Sequence, residues 1–468
     1  MGTECKQEQF GFQALGSRKV VADFGAGDVS SDGGGLLLRE VELKRKWIEA
    51  AAECFSDGRD PNLIEHSVSE LCSQMIHGLC LGYEDLNDHD RLCTDPLLAT
   101  LCGKSDPTGN SRRRRKDKGK PLAGKATLNR LQLGTKLDDR YKRIVCAEGQ
   151  MADLFVRQFI NRPREEEPRE LILDLDATDD PLHGEQEGRF FHGYYDHYCY
   201  LPLYIFCGSE LLCAKLRPSN IDGSKGSKEE VARIVSILRE RWPDVHIILR
   251  GDSGFCRDEL MAWCEANAVD YIFGLSKNPR LLRMITPSMQ SARRAQEILG
   301  GSVRAYQELR YRTRESWSKT RRVVAKAEVL PGKENPRFIV TSLSSDYAGA
   351  AELYEQHYCA RGDMENRIKE QQLGLFADRT STHTMRANQL RVWLSAIAYS
   401  LLNDLRELAL YTTKLAKAQC TSLRVWLLKI GALVKVSVRR VYIRLASAFP
   451  RQEEFAAALA AIGRLSSA

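Results

Sequence analysis

The most constraining feature of the sequence is LILDLDATDD (residues 171–180), an apolar run with two aspartates among its aliphatic residues. In an extended chain, successive side chains point to opposite faces, so Asp174 and Asp176 share one face while Leu173 and Leu175 share the other. A carboxylate on a core strand is costly to bury unless a cation, a metal ion or several donors compensate it. The strand therefore predicts a compensating group elsewhere in the chain.

Composition is typical of a soluble globular protein. The chain has 468 residues, 43% of them hydrophobic and 28% charged, which is enough for two to four domains. No run approaches the roughly 20 apolar residues of a membrane span, and MGTECKQEQF lacks the apolar core of a signal peptide. The 14 cysteines include no CxxC pair, which favours reduced thiols. We therefore predict a cytoplasmic protein with no membrane partner.

Basic residues are concentrated in three segments. Residues 111–130 hold nine Lys or Arg against one acid, residues 408–452 nine against none, and residues 304–322 seven against two. One such segment alone is typical of a solvated surface, but three together predict a nucleic-acid partner. The candidate DNA-binding residues are Arg112, Arg113, Arg114, Arg115, Lys125, Arg130, Arg321 and Arg322.

Apolar spacing in the first 135 residues predicts mainly helices. Helical patterns cover 36–55 and 66–92, the second broken near Gly82. The basic stretch 111–120 is predicted to be a flexible linker. A short helix beginning around Ala126 could read DNA, although an ordinary surface helix has the same pattern.

From residue 170 the pattern alternates between strands and helices. Strands are predicted at 171–176, 197–207, 211–218, 245–252 and 270–276, and helices at 226–242 and 257–268. This β-β-β-α-β-α-β order, with a hairpin between the second and third strands, is that of a ribonuclease-H-like α/β fold with a mixed sheet. Asp176 and Asp252 end neighbouring strands of that topology, where sites of open α/β sheets gather.

The sequence pattern divides the chain into five regions. Three predicted strands (304–314, 320–330 and 337–343) form a β-rich insertion, and long helices follow at 346–372 and 385–407. The predicted regions are an N-terminal DNA-binding and dimerisation region (1–135), the catalytic core in two parts (136–276 and 346–407), the insertion (277–345) and a basic, helical C-terminal region (408–468).

A third acid follows on the helix after the insertion. Tyr358, Arg361 and Glu365 are spaced by three and four residues, which places them on one helical face. Together with Asp176 and Asp252, Glu365 could hold two Mg²⁺ ions, with Mn²⁺ as a substitute, because hard cations take oxygen ligands. Two such ions promote in-line phosphoryl displacement, and Arg361 would bind a phosphate or orient the glutamate.

Three segments, LDLDATDDPLHG, LRGDSGF and YCARGDMENRIKE, resemble the acidic motifs of DDE transposases of bacterial insertion sequences. The resemblance is to the insertion-sequence thirteen-eighty group, related to the insertion-sequence-four superfamily, and runs over roughly 20–445. It implies that Asp176, in an Asp-x-Thr pattern, Asp252 and Glu365 are the catalytic metal ligands. Asp174 is left with a supporting or solvent-facing role.

The resemblance also implies a phosphate-binding set, Tyr358, Arg361 and a lysine. The lysine of the family signature falls on Gln372, whereas Lys369, one turn after Glu365, could reach the same phosphate. Relatives with such insertions stack a tryptophan on a flipped base, which makes Trp317 a base-stacking candidate and suggests a hairpin route for second-strand cleavage. An ordinary packing tryptophan is the alternative for Trp317.

These patterns favour a cut-and-paste transposase. Such a protein binds terminal inverted repeats of double-stranded DNA, cleaves the ends and joins their 3′ ends to target DNA, acting at the bacterial nucleoid as a homodimer in the synaptic complex. The alternatives are a DNA endonuclease without strand transfer and a non-catalytic repressor. His183, His192 and His197 have no spacing that supports a zinc site.

Overall fold

A computed structural model describes residues 9–464. The prediction that the N-terminus is not a signal peptide rests mostly on residues 1–8, which lie outside the described residues. The chain folds into two units, one containing residues up to Cys146 and from Ile397 onward, the other Ala147–Ala396. Within residues 9–464, no helix is both long and apolar enough to cross a membrane.

The N-terminal part of the first unit is mainly helical. Its strands are β1 (Phe10–Leu15), β2 (Arg18–Ala22), β3 (Val29–Ser30), β4 (Phe55–Asp57) and β5 (Ile144–Cys146), and its helices are α1 (Gly35–Arg45), α2 (Trp47–Glu53), α3 (Val68–Leu81), α4 (His89–Leu92), α5 (Pro96–Leu101) and α6 (Lys125–Gln132). The helix predicted at 36–55 is divided at Lys46, which has a positive φ of 55°. Gly82 ends α3 in the left-handed region, at the predicted break.

The second unit carries the sheet that positions the acidic residues. Its strands are β6 (Glu170–Ala177), β7 (Asp180–Pro181), β8 (Phe190–His192), β9 (His197–Tyr200), β10 (Leu203–Cys207), β11 (Glu210–Lys215), β12 (His246–Gly251), β13 (Asp270–Leu275), β14 (Val303–Tyr311), β15 (Arg321–Leu330), β16 (Lys333–Glu334) and β17 (Arg337–Thr341). Its helices are α7 (Glu148–Ile160), α8 (Ser227–Arg241), α9 (Asp258–Ala266), α10 (Pro279–Leu299), α11 (Ala350–Glu352), α12 (Gly362–Lys369) and α13 (Met385–Ala409), whose last turns belong to the first unit.

The C-terminal region, predicted to be helical, also contains a β-hairpin. Its elements are α14 (Cys420–Leu423), β18 (Ala432–Val436), β19 (Val441–Leu445) and α15 (Gln452–Arg464). Strand β18 pairs with β19 on one side and with β3 on the other. The β-branched and aromatic residues of ALVKV and VYIRL favour a strand over a helix, which explains the difference.

A nine-stranded mixed sheet forms the centre of the second unit. Its order is β11-β10-β6-β12-β13-β17-β15-β14, with β16 paired to β15. Strands β6, β12 and β13 are parallel, whereas β10 and β11 form an antiparallel hairpin on β6. One face packs Leu173, Leu249 and Phe273 against α8 and α9, and the other packs Ile248 against Leu353. The alternation of the strands thus buries both faces.

Two segments differ from the sequence-based expectation. The predicted strand 197–207 is two strands, β9 and β10, which are separated by Leu201 and Pro202 and belong to different sheets. The segment predicted as a β-rich insertion begins with the 21-residue helix α10, capped by Asn278, whose side chain accepts two backbone amides. Strands β14, β15 and β17 then extend the central sheet.

Candidate active site

Two of the predicted acids lie side by side at the end of neighbouring strands. Leu175 of β6 is opposite Gly251 of β12 in the parallel register, so Asp176 and Asp252 follow at the same edge of the sheet. The Asp176 Oδ1 accepts the amide of Ala177 at 3.0 Å, and the Asp252 Oδ1 accepts that of Gly254 at 2.8 Å. Asp176 is therefore oriented by the last residue of its own strand, and Asp252 by the turn that follows its strand.

Arg361 connects this edge of the sheet to Glu365. Its Nη2 lies 3.1 Å from the Asp176 Oδ1, and its Nη1 lies 3.6 Å from the Glu365 Oε1. The Arg361 and Asp176 side chains are only 15% and 14% exposed, whereas Glu365 is 54% exposed. The Arg361 Nε is buried without a hydrogen-bond partner. One guanidinium thus faces several carboxylates and retains an unused donor.

Burial and neighbouring charges together shift the pKa values of the site. Burial raises the pKa of Asp176 to about 6; Arg361 opposes this shift, while Asp252 and Glu365 add to it. Arg361 in turn is affected by the charges of all three acids, which raise its pKa against the effect of burial. The three predicted acids therefore share one electrostatic environment.

Tyr358 lies against the same edge of the sheet. A Cβ built on Gly274 would be 2.7 Å from the Tyr358 hydroxyl and 2.9 Å from the Ser253 amide nitrogen. Burial raises the pKa of Tyr358; Asp252 adds to the shift and Arg361 opposes it. Gly274 thus leaves the space in which the hydroxyl approaches the turn after Asp252.

The backbone that carries these residues is not one regular α-helix. A π-helical segment (Leu353–Tyr358) is followed by a 3₁₀ turn (Cys359–Arg361), then by α12 and by a second π-helical segment (Glu370–Gly374). Such π segments occur frequently at functional sites. The prediction of one helical face for Tyr358, Arg361 and Glu365 therefore holds only approximately, although all three side chains reach the same site.

A second pair, which the sequence pattern did not reveal, supports this arrangement. Asp174 is 5% exposed and accepts a bidentate contact from Arg250, with Nε–Oδ1 and Nη2–Oδ2 distances of 2.5 and 2.7 Å. Arg250 also donates to the carbonyl oxygen of His357, directly before Tyr358. The pair connects β6 and β12 to the helix, so Asp174 has a supporting role and does not face solvent. The signal for this pair in the sequence is the strand alternation, which places Arg250 and Asp252 on the same face of the sheet as Asp174 and Asp176.

The two candidates for the signature lysine have different surroundings. Lys369 is exposed at the end of α12. Gln372 is half-buried and donates from Nε2 to the carbonyl oxygen of Asp179 at 2.9 Å. Gln372 therefore holds the segment after β6, whereas the side chain of Lys369 is exposed to solvent.

Three residues predicted to contact DNA have internal partners. Trp317 is 4% exposed, with its ring 5.6 Å from that of Tyr311. Arg321 pairs with Asp258 at 2.6 Å and with Glu265 at 2.8 Å. Arg322 pairs with Glu308 and donates to three carbonyl oxygens. These side chains pack the β14–β15 region, and base stacking by Trp317 would require the ring to leave its pocket.

Several basic residues of the first unit line a cleft of about 900 Å³ beside α6, among them Arg112, Arg113, Arg114, Lys116 and Arg130. Arg112 pairs with Glu65 at 2.8 Å, and Arg113 donates to the carbonyl oxygen of Asn62, so part of the predicted linker is anchored. The other predicted DNA-binding residues in this part are exposed: Arg114, Arg115, Lys125 and Arg130. Lys125 also contacts Asn87 at 3.0 Å, and Arg130 lies over the ring of Tyr141 at 5.7 Å.

No three His, Cys, Asp or Glu side chains within residues 9–464 lie close enough together to hold a metal ion as they stand. His197 pairs through Nε2 with Asp179 Oδ2 at 2.8 Å. We call the edge of the sheet that carries Asp176 and Asp252, together with the facing Glu365, the acidic edge. There the Arg361 guanidinium is in contact with Asp176 and Glu365.

The class of protein follows from a family comparison. A family model described as Transposase DDE domain group 1 matches residues 12–467, which is nearly the whole sequence. The chain therefore belongs to this transposase family, whose members generally use divalent metal ions.

A solved structure similar to this chain is the piggyBac transposase synaptic complex with hairpin DNA. The two chains are 12% identical, the match covers 85% of this chain and 80% of the other, and the TM-score is 0.40. No curated protein matches the sequence.

Proposed function

We propose that the chain is a cut-and-paste DNA transposase of the insertion-sequence thirteen-eighty group, with Asp176, Asp252 and Glu365 as its catalytic residues. The observation that carries the proposal is the acidic edge, where the Arg361 guanidinium faces carboxylates from two strand ends and a helix. The strand order β11-β10-β6-β12-β13, with one antiparallel hairpin and three parallel strands, supports a ribonuclease-H-like fold.

The donor set suits a hard divalent cation. Carboxylate oxygens are the ligands that Mg²⁺ and Mn²⁺ prefer. Burial, and to a smaller extent the charges of Asp252 and Glu365, raise the pKa of Asp176 despite the nearby Arg361, so a bound cation would stabilise its ionised form. Asp176, Asp252 and Glu365 would hold two Mg²⁺ ions, for which Mn²⁺ would substitute. When bound, such ions stabilise the attacking and leaving oxygens of a phosphoryl displacement.

The remaining side chains would orient the DNA phosphate. Arg361 has a buried Nε without a partner, and its planar guanidinium can bind two phosphate oxygens. Lys369 is exposed one turn beyond Glu365 and would add a positive charge on the same side of α12. Tyr358 would donate its hydroxyl proton to a phosphate oxygen, because burial favours its neutral form.

The basic cleft of the first unit is the proposed contact with the terminal inverted repeats. Its exposed arginines offer charges to DNA phosphates in a sequence-independent way. Synapsis of two ends and joining to target DNA imply a homodimer, acting at the nucleoid in the cytoplasm.

The test is cleavage of a plasmid that carries the element ends. Asp252→Ala and Glu365→Ala should each lower cleavage by about 1,000-fold or more, because each removes an oxygen ligand of the proposed ions. Both variants should retain binding to end DNA. Asp363→Ala, which removes an exposed acid of the same helix, is the matched control and should cleave normally. Retained cleavage in either site variant would exclude this assignment.

Strand transfer separates a transposase from a simple nuclease. A labelled 3′-OH end should become joined to a target plasmid in the presence of Mg²⁺. Cleavage without any joined product would identify an endonuclease, and end binding without either reaction would identify a repressor.

A further inference from the structure

The small sheet that follows Asp176 exposes an unusual group of aromatic rings. Strands β7, β9 and β8 form it, and we call residues 189–200, which contain β8, β9 and their turn, the aromatic flap. Phe190, Phe191, Tyr194 and Tyr198 are 42%, 53%, 85% and 44% exposed. Four large rings left in water within nine residues indicate a binding surface.

The rings are arranged as a platform beside a positive charge. Phe191 and Tyr198 are directly opposite each other in the β8–β9 register, and their ring centroids are 5.6 Å apart. The Arg189 guanidinium lies over the ring of Tyr198 at 4.2 Å. Aromatic faces next to an arginine bind nucleic-acid bases and their phosphates without requiring a particular sequence.

Hydrogen bonds hold the backbone of the aromatic flap in place. The flap is therefore already ordered before a ligand binds. The Ser219 hydroxyl donates to the carbonyl oxygen of Phe190 at 2.8 Å. The Tyr200 hydroxyl donates to that of Glu187 at 2.6 Å, and the Leu182 amide donates to that of Tyr198 at 2.9 Å. Contacts formed by such a fixed surface cost less ordering on binding.

The aromatic flap is continuous with the acidic edge. Tyr195 packs against His192 and His197, at 4.9 and 6.1 Å between centroids. His197 pairs with Asp179, three residues after Asp176. Burial, followed by the charges of Asp179 and Asp176, raises the pKa of Tyr195 to about 12, which agrees with its place beside both carboxylates.

We propose that the aromatic flap binds unpaired DNA bases by stacking, next to the strand that is cleaved. The inference rests on the proposed function, because it places this platform at the DNA end in the active site. Bases of an intact duplex have both faces covered, so the platform selects strands that are open or frayed. Phe191 and Tyr198 then supply the stacking that Trp317, buried in its pocket, does not offer.

The experiment measures binding of the full chain to single-stranded DNA. The probe is an oligothymidylate of about 20 nucleotides carrying one 2-aminopurine, titrated without divalent ions, and a duplex of the same length is titrated in parallel. The double variant Phe191→Ala/Tyr198→Ala should weaken single-strand binding about tenfold or more, in line with the loss of stacked bases. It should leave duplex binding within about twofold and the melting temperature unchanged.

Two control proteins test the chemistry of the effect. Phe191→Tyr/Tyr198→Phe keeps both rings and should bind as the wild type does. Tyr411→Ala removes an aromatic ring that is 63% exposed in the other unit and should have no effect.

Equal affinity of the double variant and the wild type for the single strand would overturn the inference. So would a change in oligomeric state by light scattering without a change in affinity, because the rings would then form a protein interface. The readout requires no cleavage, so failure of the Asp252→Ala prediction would concern the proposed function alone. Duplex binding without any single-strand binding would overturn the flap inference and leave the proposed function standing.

Discussion

Two clusters of the second unit both combine arginine with aspartate and glutamate, but their positive and negative charges are balanced differently. At the acidic edge, Arg361 serves Asp176 and Glu365, with Asp252 alongside. Behind β15, Arg321 is 3% exposed and donates to both Asp258 and Glu265. Burial raises the pKa of Glu265, but hydrogen bonds from Arg321, Lys319 and Tyr271 outweigh it, and the net shift is downward.

The difference lies in how many cations meet how many carboxylates. Glu265 forms ion pairs with both Arg321 and Lys319, so the two cations of the cluster behind β15 neutralise its carboxylates. Asp176 shares one guanidinium with two other acids, and burial together with the charges of those acids raises its pKa to about 6. Removing one partner from a neutralised, buried cluster is destabilising because it leaves an uncompensated charge, whereas surplus charge of one sign is available to a ligand of the other sign. Two predictions test this distinction, and a third tests the basic cleft of the first unit.

The largest effect on stability is expected from Arg321→Ala. The substitution leaves Asp258 and Glu265 without their main cation, so the free energy of unfolding should fall by about 2–4 kcal/mol in chemical denaturation. Arg310→Ala, at an exposed position of neighbouring β14, should change it by less than about 0.5 kcal/mol. DNA affinity of the folded Arg321→Ala protein should be unchanged. A loss of affinity with full stability would instead make Arg321 a DNA contact.

Asp176→Asn should stabilise the protein while abolishing cleavage. The pKa of Asp176 rises from 3.8 to about 6 on folding, so the carboxyl favours folding when protonated, below about pH 4. That contribution is lost as the pH rises through about 6. At pH 8 without divalent ions, the variant should be about 1–3 kcal/mol more stable than the wild type.

The control is the pH dependence of the extra stability of Asp176→Asn. In denaturation at pH 4 the advantage of Asp176→Asn should disappear, and Asp363→Asn should give none at either pH. A variant that is less stable than the wild type at pH 8 would show that Arg361 already balances the acidic edge.

The smallest effect is expected in the basic cleft. Arg114→Ala and Lys116→Ala should each weaken DNA binding a few-fold and lower the slope of log K against log salt by about 1, because each removes one exposed charge proposed to contact a phosphate. Unfolding free energies should not change. Arg241→Ala, an exposed arginine of the second unit, is the matched control. An unchanged salt slope would place the DNA elsewhere.

Much of the acidic edge could be predicted from the sequence because its causes are local. The alternation in β6 and β12 and the apolar spacing of α8 and α9 depend on neighbouring residues, and these patterns place Asp176 and Asp252 at strand ends. Glu365 followed from helical spacing to Arg361. The residue roles remain predictions that the variants above would test.

The features that were missed depend on contacts distant in sequence. The Arg250 contact with the carbonyl oxygen of His357 joins residues 107 positions apart and requires the β6–β12 register. The burial of Arg321 and Arg322 depends on how β14 and β15 join the central sheet, since a basic alternating segment has the same pattern on a free surface. For Trp317, the sequence left packing and base stacking as alternatives. Spacing along one segment contains no information about such partners.

The π-helical segment before Arg361 has a consequence for how this chain could change over evolution. A π turn holds one more residue than an α turn, so a single deletion within 353–358 could be absorbed by relaxing that turn to ordinary α geometry. The same deletion between Arg361 and Glu365 would rotate the glutamate by about 100° around the helix axis. Related chains should therefore tolerate length variation on one side of the arginine and be intolerant of it on the other.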